Sequence, residues 1–433
     1  DYWLMLLNLE KADNQAVTDF INTYSDYPFA DRVRGEYLKK LAKKQDWESF
    51  TNEIVNYQQV DIAVACYAAE ASAINGDASV LEGVKSLWMS AKEQPANCAS
   101  LFDLMQSAGV LKEEDIWARF RLALADSRMT LAKAIAKRSK TYEVSQLKLI
   151  DRAYASPSVV LAKKVISFKT RFGRELNLFA LNRIAKTNSQ QGLSAFSKVQ
   201  SLFQAEDKSY FYGRLALQAA QRHEPEAVQW FKQVDTDDLN KEQLAWYARA
   251  ALREKNWAVV LTAVEKMSPE QAQEGAWRYW KARASKAQNK SSEANILFAK
   301  LATERHFYCF LAQDEQSEQD GGMSAPLNMY KVSDLDVDEV ANTLAFQRVE
   351  ALQRLDFRWE AKSEWALATK DFDDKQLLAA AEFAARKNWY DLAIITADKT
   401  TETHDFALRY PMPYRNLMKP AAAERGVDEA CME

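Results

Sequence analysis

The sequence predicts an all-α protein built from stacked helical hairpins, and three observations lead to this fold class. Only 11 of the 433 residues are glycine, about 2.5% against about 7% in average usage, and only nine are proline. Sheets and αβ folds need glycine-rich turns, whereas packed helices need few. No stretch alternates apolar and polar residues for long, and a two-helix unit recurs in the middle of the chain.

The recurring unit covers residues 212–231, 247–264 and 279–298. Setting Arg214, Arg249 and Arg283 in register gives spacings of 35 and 34 residues. Each unit has the pattern of an aromatic-led helix, a polar turn and a second helix. A period of 34 residues with two helices per unit is typical of tetratricopeptide-like arrays. Such units stack into a superhelix because none of them can bury its apolar face alone.

A tryptophan follows a polar turn in three places: KKQDWESF (43–50), REKNWAVV (253–260) and ARKNWYDL (385–392). We interpret Trp47, Trp257 and Trp389 as packing residues that lie between two helices where the second helix begins. A role as sugar-stacking platforms is the alternative interpretation.

The helical pattern is interrupted at residues 311–334, LAQDEQSEQDGGMSAPLNMYKVSD, which hold the only Gly-Gly pair together with acidic residues and Pro326. This composition predicts a domain boundary, after which helices resume near Asp336 and continue to about residue 400. Near the end of the chain, the run AAAER favours a helix that stops at Gly426. The following VDEACME has the pattern of a new helix.

Charge and motifs exclude several classes of function. The net charge is −4 and no long basic block occurs, which argues against nucleic-acid binding. The sequence contains no run of about 18 apolar residues, so it predicts no membrane-spanning helix. His223, His306 and His404 lie far apart, and the sequence has no HExxH, CxxC, GxxxxGK[ST] or GxSxG motif. The residue patterns by themselves therefore propose no catalytic, cofactor or metal site, and they favour a helical-repeat binding or scaffolding protein.

The chain resembles the soluble lytic transglycosylases of Gram-negative bacteria in five strings that fall in family order over nearly its whole length. These strings are FINTYSDYPFADRVRGEYLKKLAKKQDW (20–47), SLWMSAKEQPANCASLFDLMQSAG (86–109), ATERHFYCFLAQD (302–314), FQRVEALQRLDFRWEAKSEW (346–365) and DFALRYPMPYRNLMKPAAAERGVDEA (405–430).

The resemblance implies a U-shaped α-superhelix over residues 1–320 and a helical linker domain over residues 321–405 that closes it into a ring. Residues 406–433 would lead into a lysozyme-like catalytic domain whose first helix begins near Val427. In the family that helix carries an R-Q-E-S string with the acid/base glutamate, and a G-L-M-Q string follows. This chain contains neither string. We therefore expect the chain to lack the catalytic domain, either as a fragment or as a truncated member of the family. The chain opens at DYWLMLLNLE without a start methionine or signal peptide, from which we expect a processed or trimmed protein. We do not expect Glu433 to be catalytic, because a chain end offers no enclosed pocket.

The chemistry that the resemblance implies is cleavage of the β-1,4 bond between N-acetylmuramic acid and N-acetylglucosamine in peptidoglycan. One glutamate would protonate the glycosidic oxygen and then help the muramyl 6-hydroxyl attack C1, which gives a 1,6-anhydro product without a metal or cofactor. We expect this chain alone, in the periplasm, to bind or position glycan strands without cleaving them. Other cell-wall enzymes are further candidate partners. The alternative is a tetratricopeptide-like scaffold that binds proteins.

The periplasmic location that the resemblance implies permits disulfide bonds. Cys66 lies in the predicted helix VDIAVACYAAEASAING, the next helix through LEGVKSLWMSAK runs back as far as Pro95, and Cys98 opens a third helix near the level of the first. We predict a disulfide between Cys66 and Cys98, with two buried free thiols as the alternative. We expect Cys309 and Cys431 to be unpaired.

Overall fold

The computed structural model describes residues 1–141, 143–320 and 328–428, and its regular elements in these ranges are helices. The predicted all-α class is confirmed. The described ranges contain 29 α-helices, one isolated bridge between Met329 and His404, and three 3₁₀ helices at Val144–Gln146, Gln200–Leu202 and Thr236–Asp238. None of these α-helices combines the length and the apolar character that crossing a bilayer requires.

The bounds of the helices before residue 142 are α1 (Tyr2–Asn8), α2 (Asn14–Thr23), α3 (Pro28–Lys43), α4 (Trp47–Ile54), α5 (Ile62–Ile74), α6 (Val80–Gly83), α7 (Lys85–Trp88), α8 (Cys98–Ser107), α9 (Glu113–Ala125) and α10 (Met129–Ala136). Those between residues 143 and 320 are α11 (Leu147–Ala155), α12 (Pro157–Ala162), α13 (Arg171–Thr187), α14 (Ser189–Ser197), α15 (Ala205–Gln221), α16 (Ala227–Phe231), α17 (Lys241–Arg253), α18 (Trp257–Glu265), α19 (Pro269–Ala272), α20 (Gly275–Ala287), α21 (Ser291–Ala302) and α22 (Phe307–Asp320). Those after residue 328 are α23 (Asp334–Ala341), α24 (Leu344–Arg354), α25 (Arg358–Ala368), α26 (Asp374–Arg386), α27 (Tyr390–Ala397), α28 (Phe406–Arg409) and α29 (Arg415–Arg425).

Backbone contacts divide the chain into two compact units. The first unit contains Asp1–Tyr37, Tyr57–Gln59 and the described residues from 328 onward. The second unit contains Leu38–Asn56 and the described residues from Val60 to 320. The first unit thus groups residues 1–37 with the described residues from 328 onward.

The second unit contains the three helical hairpins expected from the repeat. Arg214, Arg249 and Arg283 lie in α15, α17 and α20, and each of these helices packs against its successor α16, α18 or α21. One apolar core includes buried residues of α15 to α18 and extends to Trp277 and Ala284 in α20, and a second core joins α20 to α21 and α22. Each hairpin therefore buries its apolar face against its neighbours, as the repeat predicted.

Side-chain-bearing residues close the turns inside these hairpins. His223, Lys255 and Asn289 follow α15, α17 and α20 in the left-handed backbone region, with φ of 61°, 54° and 63°. Glycine is the usual residue at this position of a helix end. The use of other residues there is one physical reason why so few glycines suffice for so many turns.

The packing interpretation of the motif tryptophans is confirmed for two of them. Trp257 is half-buried and packs on the core of the second unit, and Trp389 packs in the same way on a core of the first unit. Trp47 begins α4, is half-buried, and lies edge-on to Phe50 with ring centroids 6.0 Å apart.

In the first unit, α23 to α27 share an apolar core that includes Phe346, Trp365 and Phe383. Trp365 also donates a hydrogen bond from Nε1 to the Thr396 hydroxyl, at 2.8 Å. This bond satisfies the polar end of a buried indole, so that α25 and α27 are held in register.

Three segments differ from expectation or lie outside the described residues. The predicted helix over LEGVKSLWMSAK is two short helices, α6 and α7, and α7 ends at Trp88, which is buried and donates from Nε1 to the backbone oxygen of Asp115, at 2.9 Å. The expected interruption at residue 311 is helical up to Asp320 as part of α22. Gly426 ends α29 with φ of 62°, as predicted. Most of the helix expected after Val427, together with Cys431 and Glu433, lies outside the described residues.

Candidate functional site

The structure brings together the two cysteines predicted to pair. Cys66 in α5 and Cys98 at the start of α8 are both fully buried, their Cα atoms lie 5.2 Å apart, and their sulfur atoms are bonded. The bond joins α5 directly to α8 and bridges residues 75–97, which contain α6 and α7. Cys309, the other cysteine in the described ranges, is free and buried. The pairing of Cys66 and Cys98 in solution stays a prediction, tested by the thiol count described below.

An open cavity of about 530 Å³ lies in the first unit. We call it the Trp359 cavity, and its lining is polar and aromatic: Gln353, Asp356, Arg358, Trp359, Lys362, Asn388, Trp389 and Asp391.

Two equivalent turns build the Trp359 cavity. The turn between α24 and α25 places Asp356 at φ of 60°, and the turn between α26 and α27 places Asn388 at φ of 61°. In each turn the next residue, Phe357 or Trp389, donates its backbone N–H at 2.9 Å to a carbonyl five residues earlier. The ends of two helical hairpins therefore present the same backbone geometry to one cavity.

The two tryptophans of the cavity differ in burial. Trp389 is half-buried and lies edge-on to Phe383, with ring centroids 5.8 Å apart. Trp359 is 83% exposed, more than any other tryptophan among the large exposed apolar side chains of the described residues. Exposing an indole forgoes a large gain from apolar burial, so Trp359 adds nothing to the core and is available to a ligand.

The charges of the Trp359 cavity cancel in two pairs. Arg358 and Asp356 lie 2.8 Å apart, and Lys362 and Asp391 lie 2.9 Å apart. Partial burial alone would raise the pKa of Asp391, but the hydrogen bond and charge of Lys362 outweigh it and hold the pKa below its usual value. The cavity therefore carries no net charge near neutral pH.

A second polar cluster lies between α9, α13 and α15 in the second unit. Arg121 donates two hydrogen bonds of 2.8 Å to Glu175, and Arg174 donates one of 2.9 Å to Asp207. Both carboxylates are almost completely buried. Because arginines bind both carboxylates, the cluster cross-links three helices, and the cavity that Glu175 and Arg121 line measures only about 10 Å³.

A third cluster joins Glu304, His306 and Cys309, whose potential ligand atoms all lie within 4.8 Å of one another. Glu304 and His306 lie in the turn between α21 and α22, and Cys309 lies in the first turn of α22, so this group is not one of the sequence-predicted sites. Arg278 donates to both oxygens of Glu304, at 2.6 and 2.5 Å, and burial raises the pKa of the Cys309 thiol. An arginine on the carboxylate and a protonated thiol both disfavour a bound cation.

The comparisons with known proteins agree on one family. The family model "Soluble lytic murein transglycosylase L domain" matches residues 339–401, a range that contains the whole lining of the Trp359 cavity. Two relatives named "Soluble lytic murein transglycosylase" match over 93% of this chain. That of Escherichia coli K12 is 22% identical over 421 residues, and that of Salmonella typhimurium is 21% identical over 420. This chain spans 62% of the length of each of these relatives.

Solved structures show the same relationship. An inactive mutant of the lytic transglycosylase Slt from Pseudomonas aeruginosa superposes with a TM-score of 0.72 and 27% identity, covering 98% of this chain and 69% of that one. The 70 kDa soluble lytic transglycosylase of Escherichia coli has the same fold, with a TM-score of 0.60, 19% identity, and coverage of 99% and 69%. The chain is therefore a homologue of the soluble lytic murein transglycosylases.

Proposed function

We propose that this chain acts in peptidoglycan turnover and that its part is to bind and position glycan strands. The whole enzyme would cleave the β-1,4 bond between N-acetylmuramic acid and N-acetylglucosamine with formation of a 1,6-anhydro product. The observation that carries the proposal is the homology to soluble lytic transglycosylases over 93% of the chain. The periplasm is the proposed location, and a buried disulfide fits an oxidising compartment.

We further propose that this chain does not cleave the strand itself. General-acid work needs a carboxyl group in an enclosed site that raises its pKa. In the described residues, burial raises the pKa of Glu364, but Arg348 binds that carboxylate inside a helix pair. Neither R-Q-E-S nor G-L-M-Q occurs in the sequence.

The proposed domains are a superhelical domain at 1–320, a linker domain at 321–405 and a lead-in segment at 406–433. The match to an L domain at residues 339–401 lies within the second of these ranges and supports it. Limited proteolysis followed by mass spectrometry tests this boundary. If the boundary is correct, the first cleavage should fall between residues 311 and 334.

Binding and cleavage are tested together by incubating the purified chain with peptidoglycan sacculi. We expect the chain to sediment with the sacculi and to release no anhydromuropeptides. The control is an unrelated helical-repeat protein of similar isoelectric point. Retention no greater than that of the control would contradict strand binding and favour the protein-scaffold alternative. Anhydro products that accompany the pure chain and vanish in Glu433→Gln would contradict the absence of cleavage.

A further inference from the structure

We propose that the Trp359 cavity is a carbohydrate subsite that takes a short, uncharged stretch of N-acetylated amino sugars. The choice of a glycan strand as the natural ligand rests on the proposed function, while the choice of a saccharide rests on the cavity itself. Three features carry the second choice: an exposed indole, amide-bearing side chains around it, and balanced charges.

The exposed indole supplies a flat apolar face. A pyranose ring has one face made mainly of C–H groups, and it packs on an aromatic ring with little loss of conformational entropy because both partners are rigid. Trp359 is 83% exposed and lines the cavity, and Trp389 lines it from the second turn. A saccharide would cover apolar surface that the fold leaves in water.

The amide groups match the substituents of an N-acetylated sugar. Gln353 and Asn388 line the same cavity, and each side-chain amide offers donors and an acceptor. Acetamido groups and sugar hydroxyls need both. The cavity volume of about 530 Å³ lies within the range of about 300–1,000 Å³ that is usual for small-ligand sites.

The charge balance argues against an ionic ligand and against an apolar protein segment. The pairs Arg358–Asp356 and Lys362–Asp391 leave the cavity without net charge. An apolar side chain docked there would remove water from these ion pairs. The hydrogen bonds that the pairs make to water would then be lost without replacement, which is costly. Sugar hydroxyls can replace those bonds, so a neutral polar ligand suits the cavity better.

The test is a titration of the full chain with tetra-N-acetylchitotetraose, a neutral β-1,4-linked probe, followed by tryptophan fluorescence and calorimetry. We expect saturable binding that Trp359→Ala weakens about tenfold or more, since stacking on one aromatic ring commonly contributes that much. Gln353→Ala should weaken binding severalfold. Because the cavity is neutral, affinity should change little when salt is raised about tenfold.

The matched control is Trp3→Ala, which removes a half-exposed tryptophan of the same unit that does not line the cavity. It should leave affinity unchanged, and both tryptophan variants should unfold at the wild-type temperature. Absence of saturable binding by the wild type, or equal affinity of wild type and Trp359→Ala, would overturn the inference.

Sedimentation with sacculi separates this inference from the proposed function. If Trp359→Ala and wild type bind sacculi equally and neither binds the probe, the subsite is wrong and strand binding stands. If the probe binds through Trp359 but sacculi are not retained, the subsite stands and strand binding is wrong. If soluble stem peptides bind through Trp359 and the probe does not, the cavity is a peptide site and the inference fails.

Discussion

The guanidinium carbon of Arg348 lies 4.3 Å from the centre of the Tyr27 ring, so that α24 contacts the segment just before α3 within the first unit. The same guanidinium donates two hydrogen bonds to Glu364, one of them 2.6 Å long. Glu364 is 4% exposed. One arginine therefore both neutralises a buried carboxylate and covers an aromatic ring from the beginning of the chain.

Arg348→Met should destabilise the first unit by about 3–5 kcal/mol at neutral pH, because it leaves the buried charge of Glu364 unpaired. Burial raises the pKa of Glu364. Because its pKa is raised in the folded state, Glu364 contributes fully to the free energy of unfolding below its unfolded-state pKa. This contribution is lost as pH rises through the folded-state pKa. The deficit of the variant should therefore shrink as pH falls to about 5.

Thermal unfolding followed by circular dichroism at both pH values measures this effect. Arg358→Met is the control, because the Arg358–Asp356 pair is exposed and such pairs contribute about 0–1 kcal/mol. A deficit of the same size at both pH values would show that Glu364 is not its source.

The predicted disulfide should leave two of the four cysteines reactive under denaturing, non-reducing conditions. The peptides that carry Cys66 and Cys98 should be linked in a non-reduced digest, whereas four reactive thiols would reject the bond. The bond closes a loop with a sequence separation of 32 residues. Cys66→Ala should therefore cost roughly 3–4 kcal/mol, mainly through the less restricted unfolded chain. Cys309→Ala is the control, because it removes a buried thiol that forms no disulfide. Its loss of stability measures the packing contribution alone, and the excess loss in Cys66→Ala measures the disulfide.

Gly173→Ala should destabilise the second unit by about 3 kcal/mol. A Cβ atom on Gly173 would lie 1.8 Å from the backbone oxygen of Ser167, so the start of α13 or the preceding segment would have to move. Gly83→Ala is the matched control, since no atom lies within 4 Å of its added Cβ and its φ is not positive. Denaturant unfolding should show no loss for the control, and equal behaviour of the two variants would contradict the crowding at Gly173.

Asp374→Asn should weaken the attachment of residues 401–403 by about 1–2 kcal/mol near neutral pH. The Asp374 carboxylate accepts backbone N–H groups of Thr401, Glu402 and Thr403, two of them at 2.7 and 2.8 Å. Partial burial alone would raise the pKa of Asp374, but these bonds outweigh it and lower the pKa.

The pKa of Asp374 is lowered in the folded state, so the stabilisation that this carboxylate contributes is present above its unfolded-state pKa. That stabilisation is lost as pH falls through the folded-state pKa. Wild type and Asp374→Asn should therefore converge in acid. Hydrogen exchange of the Glu402 and Thr403 amides measures the attachment. Asp371→Asn, a change at an exposed neighbour, should leave their exchange unaltered.

The sequence predicts the hairpins well because their signals are local. The register of Arg214, Arg249 and Arg283 falls on real helices, and Gly426 ends α29 as expected. The single helix predicted through Trp88 is wrong, since the segment forms two short helices, the second of which ends at Trp88, where the indole makes a tertiary hydrogen bond to the backbone of Asp115. Local propensity cannot register such a contact.

The exposure of Trp359 was missed, although a signal for it exists. Ala361 and Trp365 are four residues apart and buried, so they define the inner face of α25. Trp359 precedes Ala361 by two positions, which places it on the opposite side of the helix. The cavity itself could not be predicted, because it requires the end of a second hairpin beside the first.

The left-handed turn residues have a practical consequence for heat resistance. In the described ranges, eight non-glycine residues have positive φ: Gln45, Ser127, Lys164, His223, Lys255, Asn289, Asp356 and Asn388. Residues other than glycine, asparagine and aspartate are strained there by about 1–2 kcal/mol, although a glycine also makes the unfolded chain more flexible. Replacing Lys255 or His223 by glycine should thus give a net gain without altering any helix-to-helix contact. Engineering for thermal tolerance can accordingly begin at the surface turns and leave the core unchanged.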